Sequence, residues 1–146
     1  MADPQDDVPA ELLSRLAADP LAALLGITLD EVRPGYARAS MTVAPTHLNA
    51  VGTAHGGATM ALLDVVHAAV SNSHGTVAVA QDVHTEFLDA GRPGDRLTSE
   101  GVEVHRSSRT AVYRIEARAQ DGRLIATALA RVFRTGRAWS DMEREL

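Results

Sequence analysis

His55-Gly56-Gly57-Ala58-Thr59-Met60-Ala61-Leu62-Leu63-Asp64-Val65-Val66-His67-Ala68-Ala69-Val70-Ser71-Asn72-Ser73 is the stretch on which the reading of this 146-residue chain turns. From Ala58 to Val70 the polar interruptions are Thr59, Asp64 and His67. Such a stretch reads as a long helix buried nearly all round rather than an amphipathic one. Everything after it is patterned as strands, at 77–88, 95–106, 109–120 and 123–135. In the third of these, Ala111, Tyr113, Ile115, Ala117 and Ala119 alternate with Val112, Arg114, Glu116 and Arg118. Asp121-Gly122 between the last two candidates is a strong hairpin turn. One buried helix followed by antiparallel strands predicts an α+β arrangement, a curved antiparallel β-sheet wrapped around a long central helix.

Upstream of the helix the signals are local. Pro9 opens a short helix, because its missing N–H costs nothing at a first helical position. Asp19-Pro20 repeats the device as N-cap and first residue for Leu21 to Leu25, and Gly26 ends that helix. Residues 37–43 alternate Ala37, Ala39, Met41 and Val43 with Arg38, Ser40 and Thr42, which predicts a strand with one wet face. Residues 27–33 are its hairpin partner across Pro34-Gly35. Residues 45–54 form a loop. The expected organisation is an acidic disordered tail at 1–8, a single domain at 9–136 and a C-terminal tail at 137–146.

Composition removes whole classes of chemistry. With no cysteine there are no disulfides, thiolate nucleophiles or cysteine-based metal sites. Aromatics are 3% of the chain, too few to stack the bases of a nucleic acid strand. The six histidines have no metal-ligand spacing, so no metal is expected. Neither a signal peptide nor a membrane span is legible, and the cytoplasm is the expected location. The net charge of −5 hides an asymmetry. Every one of the 14 basic residues is arginine, and eight of them fall within 105–137 against Glu116 and Asp121.

Two features of the helix could carry chemistry. Asp64 is a carboxylate in an apolar run, and burial of that kind is how a general base acquires a useful pKa; a salt-bridged or seam-facing Asp is the structural alternative. His55-Gly56-Gly57 opens the helix, where free N–H groups and the positive end of the dipole can polarise a carbonyl; turn-forming glycines are the plainer explanation. Gly57 and Asp64 are seven residues apart, about 10 Å along a helix axis, too far to act together on one carbonyl. Two chains with these helices antiparallel about a twofold axis would set Asp64 of one opposite Gly57 of the other. His67, one turn beyond Asp64, either tunes the carboxylate or is simply a core or pocket histidine. The turn His105-Arg106-Ser107-Ser108-Arg109 is the best local cluster for phosphates, with solvated strand faces as the alternative.

Taken together, Leu48-Asn49, the loop through Gly52, His55-Gly56-Gly57, Leu63-Asp64, Asn72-Ser73, Phe87-Leu88 and Gly94-Asp95 resemble the hotdog-fold acyl-CoA thioesterases, in their PaaI-like (phenylacetic acid degradation) branch. The resemblance runs from about Asp19 to Arg134. It implies a hotdog fold, subunits paired through their sheets, a dimer as the minimal active unit and dimers often paired into tetramers. It implies Asp64 as base, or as nucleophile, for hydrolysis of an acyl- or aryl-CoA thioester. Gly57 would supply the N–H that polarises the thioester carbonyl, with His55 and Asn49 positioning that end. Gly56 and His67 would border the substrate, and Arg106 and Arg109 would face the CoA phosphates. No cofactor is implied, coenzyme A being part of the substrate. A non-catalytic acyl-CoA-binding hotdog module is the competing expectation. Asp89-Ala90 stands where relatives often have Arg-Pro, His67 where they often have an apolar residue, and Gln81 is a substitute for the strand hydroxyl that orients water in some of them.

Overall fold

The computed structural model describes residues 7–142. Two short helices, α1 (Ala10–Ala17) and α2 (Pro20–Leu25), precede the hairpin β1 (Thr28–Arg33) and β2 (Tyr36–Thr42). The long helix α3 (Gly56–Asn72) follows, then β3 (Thr76–Phe87), β4 (Arg96–Arg106), β5 (Thr110–Ala119) and β6 (Leu124–Ala138). The local signals act as expected: the Asp19 carboxylate accepts from Ala22 N–H at 3.0 Å, and Gly26 closes α2 at φ +69°. Most of the acidic tail lies outside the described residues, whereas Val8, counted with it, is buried. At the other end β6 continues to Ala138 and a 3-10 turn spans Trp139–Asp141, past the start of the expected C-terminal tail.

The six strands form one antiparallel sheet in the order β1-β2-β4-β5-β6-β3. The chain thus crosses after α3 to the far edge, and β3 pairs with β6 rather than with its sequence neighbour. The other long side of this 12-residue strand is an open sheet edge. One face of the sheet packs on α3. Tyr113, Ile115 and Ala117 of β5 point to the helix and are fully buried, with Ala37 and Ala39 in register with Ile115 and Ala117 on β2, across β4. Gly101 of β4 lies where the helix comes nearest, since a Cβ there would stand 2.7 Å from Val66 Cγ1.

Asn72 ties the end of α3 to the sheet. Its Oδ1 accepts from Ala78 N–H at 2.8 Å and from Trp139 Nε1–H at 2.7 Å, and its Nδ2 donates to the Ala68 carbonyl at 2.8 Å. Arg15 stacks over the same Trp139 ring, 4.9 Å from its centroid. These bonds explain why 139–141 are ordered although their sequence has no strong pattern.

The expectation that α3 is buried all round is wrong for the single chain. Gly57, Asp64 and Ala68 are exposed, with Met60 and Ala61 half-buried between them. Together they make one stripe along the helix at three- and four-residue spacing. Small residues dominate it, so apolar character there reflects smoothness rather than contact with the core.

Candidate active site

The segment leading into α3 is pinned from two sides. His55 N–H donates to the His47 carbonyl at 2.7 Å, and Ala54 N–H to the Gly91 carbonyl at 2.8 Å. Gly91 is buried, and a Cβ there would meet Ala54 Cβ at 2.9 Å. The loop carrying Gly91 is itself anchored by Asp95. That carboxylate accepts from Arg92 N–H at 2.8 Å, from the Gln120 amide at 3.0 Å and from Arg123 at 2.6 Å. The Arg92 N–H, then Gln120 and Arg123, hold its pKa down to about 2.

His55 is the N-cap of α3, and its Nδ1 accepts from Gly57 N–H at 2.9 Å. The donor assigned to the substrate carbonyl is therefore engaged by the chain's own imidazole at rest. The Phe87 ring lies 3.5 Å from where a Gly56 Cβ would be, so an alanine at 56 would just touch the aromatic wall beside the helix end and a larger side chain would press on it. Thr85 on the same strand donates its hydroxyl to Met60 Sδ. The sequence reading missed this neighbourhood of Phe87, Thr85 and Met60; the signal was the placement of β3 beside β6, which no local pattern encodes.

Asn49 is turned into its own loop. Its Oδ1 accepts from the N–H groups of Val51 and Thr53, both at 3.1 Å, and its Nδ2 donates to Thr53 Oγ1 at 3.0 Å. It shapes the approach to His55 rather than offering a free side chain.

Asp64 corrects the expectation of burial. Its side chain is 62% exposed, on the same stripe as Gly57. His67 is the buried partner, 2% exposed, with Nδ1 3.8 Å from Asp64 Oδ1. Its position beneath the helix removes it from direct contact with solvent in this chain.

Among the described residues, three of the eight arginines in the basic stretch are paired with carboxylates of the same chain. Arg106 pairs with Glu103 at 3.3 Å, Arg118 with Glu116 at 3.2 Å, and Arg123 with Asp95, Asp121 and Asp89. Arg109 lies exposed in the β4–β5 turn. In one chain Arg106 sits by the C-terminal end of α3, since Glu103 also bonds His74. About 24 Å of helix separates that end from Gly56.

A long helix on one face of a six-stranded antiparallel sheet, opened by a His-Gly-Gly cap and carrying an exposed Asp, is the hotdog arrangement of a thioester hydrolase. The sequence pattern of the thioesterase superfamily matches residues 51–126. The chain belongs to that superfamily and is a thioesterase, in the PaaI-like branch. It is 35% identical over 118 residues to the acyl-coenzyme A thioesterase PaaI of Escherichia coli, covering 81% of this chain and 84% of that protein. The structure of E. coli PaaI superposes with a TM-score of 0.83 at 32% identity, over 86% of this chain and 91% of that one. A hypothetical thioesterase of Streptococcus pneumoniae, crystallised with coenzyme A, superposes with a TM-score of 0.80 at 28% identity, over 86% and 98%. No helix among the described residues is long and apolar enough to cross a membrane.

Proposed function

We propose that the chain hydrolyses an acyl- or aryl-CoA thioester to coenzyme A and a carboxylic acid, at sites shared between two copies. The observation that carries this reading is that Gly57 and Asp64 lie on one exposed stripe of α3, separated by about 10 Å. A twofold axis across the stripe sets Asp64 of each copy against Gly57 of the other. The open edge of β3 supports such pairing, because a long unpaired strand is a template for a second one. At its end Phe87, and Leu88 just after it, are 54% and 55% exposed.

In this reading the thioester carbonyl oxygen takes the place of His55 Nδ1 on the Gly57 N–H, at the positive end of the helix. Asp64 of the partner copy accepts a proton from water as the water oxygen bonds to the carbonyl carbon. The tetrahedral intermediate then collapses, the C–S bond breaks, and the thiolate leaves with the proton returned from the carboxyl group. Met60 and Phe87 border the acyl group, Asn49 holds the loop in register, and Arg109 is the freer of the two candidates for the CoA phosphates. No cofactor takes part, coenzyme A arriving with the substrate.

A thiol reagent monitors release of coenzyme A with no background from this cysteine-free chain. Asp64→Asn is expected to lower kcat at least about 100-fold; wild-type turnover would end the reading. Complementation tests the shared site. Asp64→Asn and Gly57→Pro are each inactive alone, and mixing them restores roughly a quarter of wild-type activity, since half the dimers are mixed and each holds one intact site. No recovery on mixing, with exchange of subunits verified, would place both groups in one chain.

A further inference from the structure

Among the described residues three buried side-chain polar atoms have no hydrogen-bond partner: His67 Nε2, Tyr113 Oη and Ser99 Oγ. Ser99 stands alone, paired with Ala117, four residues along β5 from Tyr113. The other two belong to neighbouring rings. His67 and Tyr113 have centroids 5.9 Å apart, and both side chains are packed between α3 and the sheet with 1% and 0% exposure. A buried N–H with no acceptor is costly, so a ring nitrogen in such a place is better left as a bare lone pair.

The chemistry of the pair has a direction. Burial, and next the charge of Glu103, push the Tyr113 hydroxyl up to about 12, so it remains a donor. Glu103 already has one oxygen on His74 Nε2 at 2.8 Å and the other on Arg106 Nε at 3.3 Å. Glu103 also faces the tyrosine hydroxyl as an acceptor, so His67 Nε2 is left buried with no group to receive a proton from it. With Nε2 bare, the neutral ring carries its proton on Nδ1. Nδ1 is the atom that faces Asp64, 3.8 Å from Oδ1, one turn back on the same helix. The imidazole is clamped by the core, whereas the carboxylate is 62% exposed and free to rotate. Closing the gap to hydrogen-bond length is then a matter of one Asp rotamer adjustment.

We propose that His67 is a positioning residue for Asp64, its Nδ1–H holding one carboxylate oxygen so that the other faces the attacking water. The proposal rests on the reading of Asp64 as the base. It gives the histidine a task that a purely apolar side chain at 67 could not perform. It also accounts for the orphaned Nε2, which is left as a bare lone pair.

His67→Asn and His67→Leu separate this role from packing, because the Asn amide places an N–H near the Nδ1 position whereas Leu has no donor. Release of coenzyme A by each variant, the wild type and Asp64→Asn is measured, with circular dichroism verifying folding. His67→Leu is expected to lose about 10-fold in kcat with KM within twofold, and His67→Asn to recover most of that loss. Nitrogen NMR of the wild type is expected to find the Nδ1–H tautomer. Equal loss in the Asn and Leu variants, no loss in either, or the Nε2–H tautomer in the wild type would overturn the proposal. Full turnover by Asp64→Asn would instead remove the reading beneath it. A His67→Leu chain that fails to fold leaves the tautomer and the Asn variant to decide.

Discussion

Gly101→Ala is a one-carbon test of how α3 is seated. The new Cβ would lie 2.7 Å from Val66 Cγ1, 3.3 Å from Val70 Cγ1 and 3.6 Å from Ile115 Cγ1. The first distance is far inside contact, and both valines are on the buried face of a helix whose rotamers are restricted by β-branching. Overpacking of this kind costs about 1–3 kcal/mol. Gly101 is in a strand without a positive φ, so alanine also recovers roughly 0.5–1 kcal/mol of backbone entropy. The net expectation is a loss of about 1–2 kcal/mol, or about 3–6 °C in Tm for a domain of this size. Calorimetry at one fixed protein concentration measures it. Val66→Ala removes the opposing methyls, so the double variant should lie nearer wild type than additivity allows, with a coupling of about 1 kcal/mol. A Tm at or above wild type for Gly101→Ala alone would refute the argument that this glycine sets the helix-to-sheet distance.

Asp95→Asn should destabilise the chain at neutral pH by about 1–2 kcal/mol after solvent screening. Because the folded-state pKa is depressed, to about 2, that stability is present above pH ~4 and lost as pH falls towards 2. Denaturant titrations of the two proteins should therefore converge in acid, and a constant gap from pH 7 to 2 would contradict the assignment. Trp139→Phe removes the 2.7 Å bond to Asn72 Oδ1 and should cost about 1 kcal/mol, read by thermal unfolding monitored by circular dichroism. Gly56→Leu, pressed against Phe87 at the helix end, should raise KM for bulky acyl groups more than for acetyl-CoA; a uniform effect would place the acyl group elsewhere.

What the sequence made legible was mostly local chemistry. Asp19-Pro20 and Gly26 bracket α2 because capping is settled within a few residues, and the hairpins across Gly35 and Gly122 follow from turns that need positive φ, +77° and +89°. The position of β3 at the far edge was hidden, since pairing with β6 is a contact between segments some fifty residues apart. Asp64 was misjudged for a different reason. Counting apolar neighbours along α3 treats alanine and glycine as core residues, yet Gly57, Ala61 and Ala68 leave a smooth stripe that a single chain does not cover. The family match covers residues 51–126, a range that includes both His55 and Asp64. Tyr113 was legible as one inward residue in an alternating strand, but its unpartnered hydroxyl beside His67 is a fact of three dimensions only.

The imidazole seated on the Gly57 N–H bears on selectivity between ground state and transition state. An incoming carbonyl gains no new hydrogen bond there; it exchanges places with an acceptor of similar strength, so the neutral thioester is held loosely. The oxyanion that forms on attack is charged, and charge-assisted bonds are about twice as strong as neutral ones. The exchange favours the developing anion and not the substrate, which is the differential that accelerates a reaction rather than merely saturating a site. In the proposed reaction, a cap that looks like self-inhibition in the resting chain would thus favour the charged transition state over the neutral substrate, since both displace the same histidine.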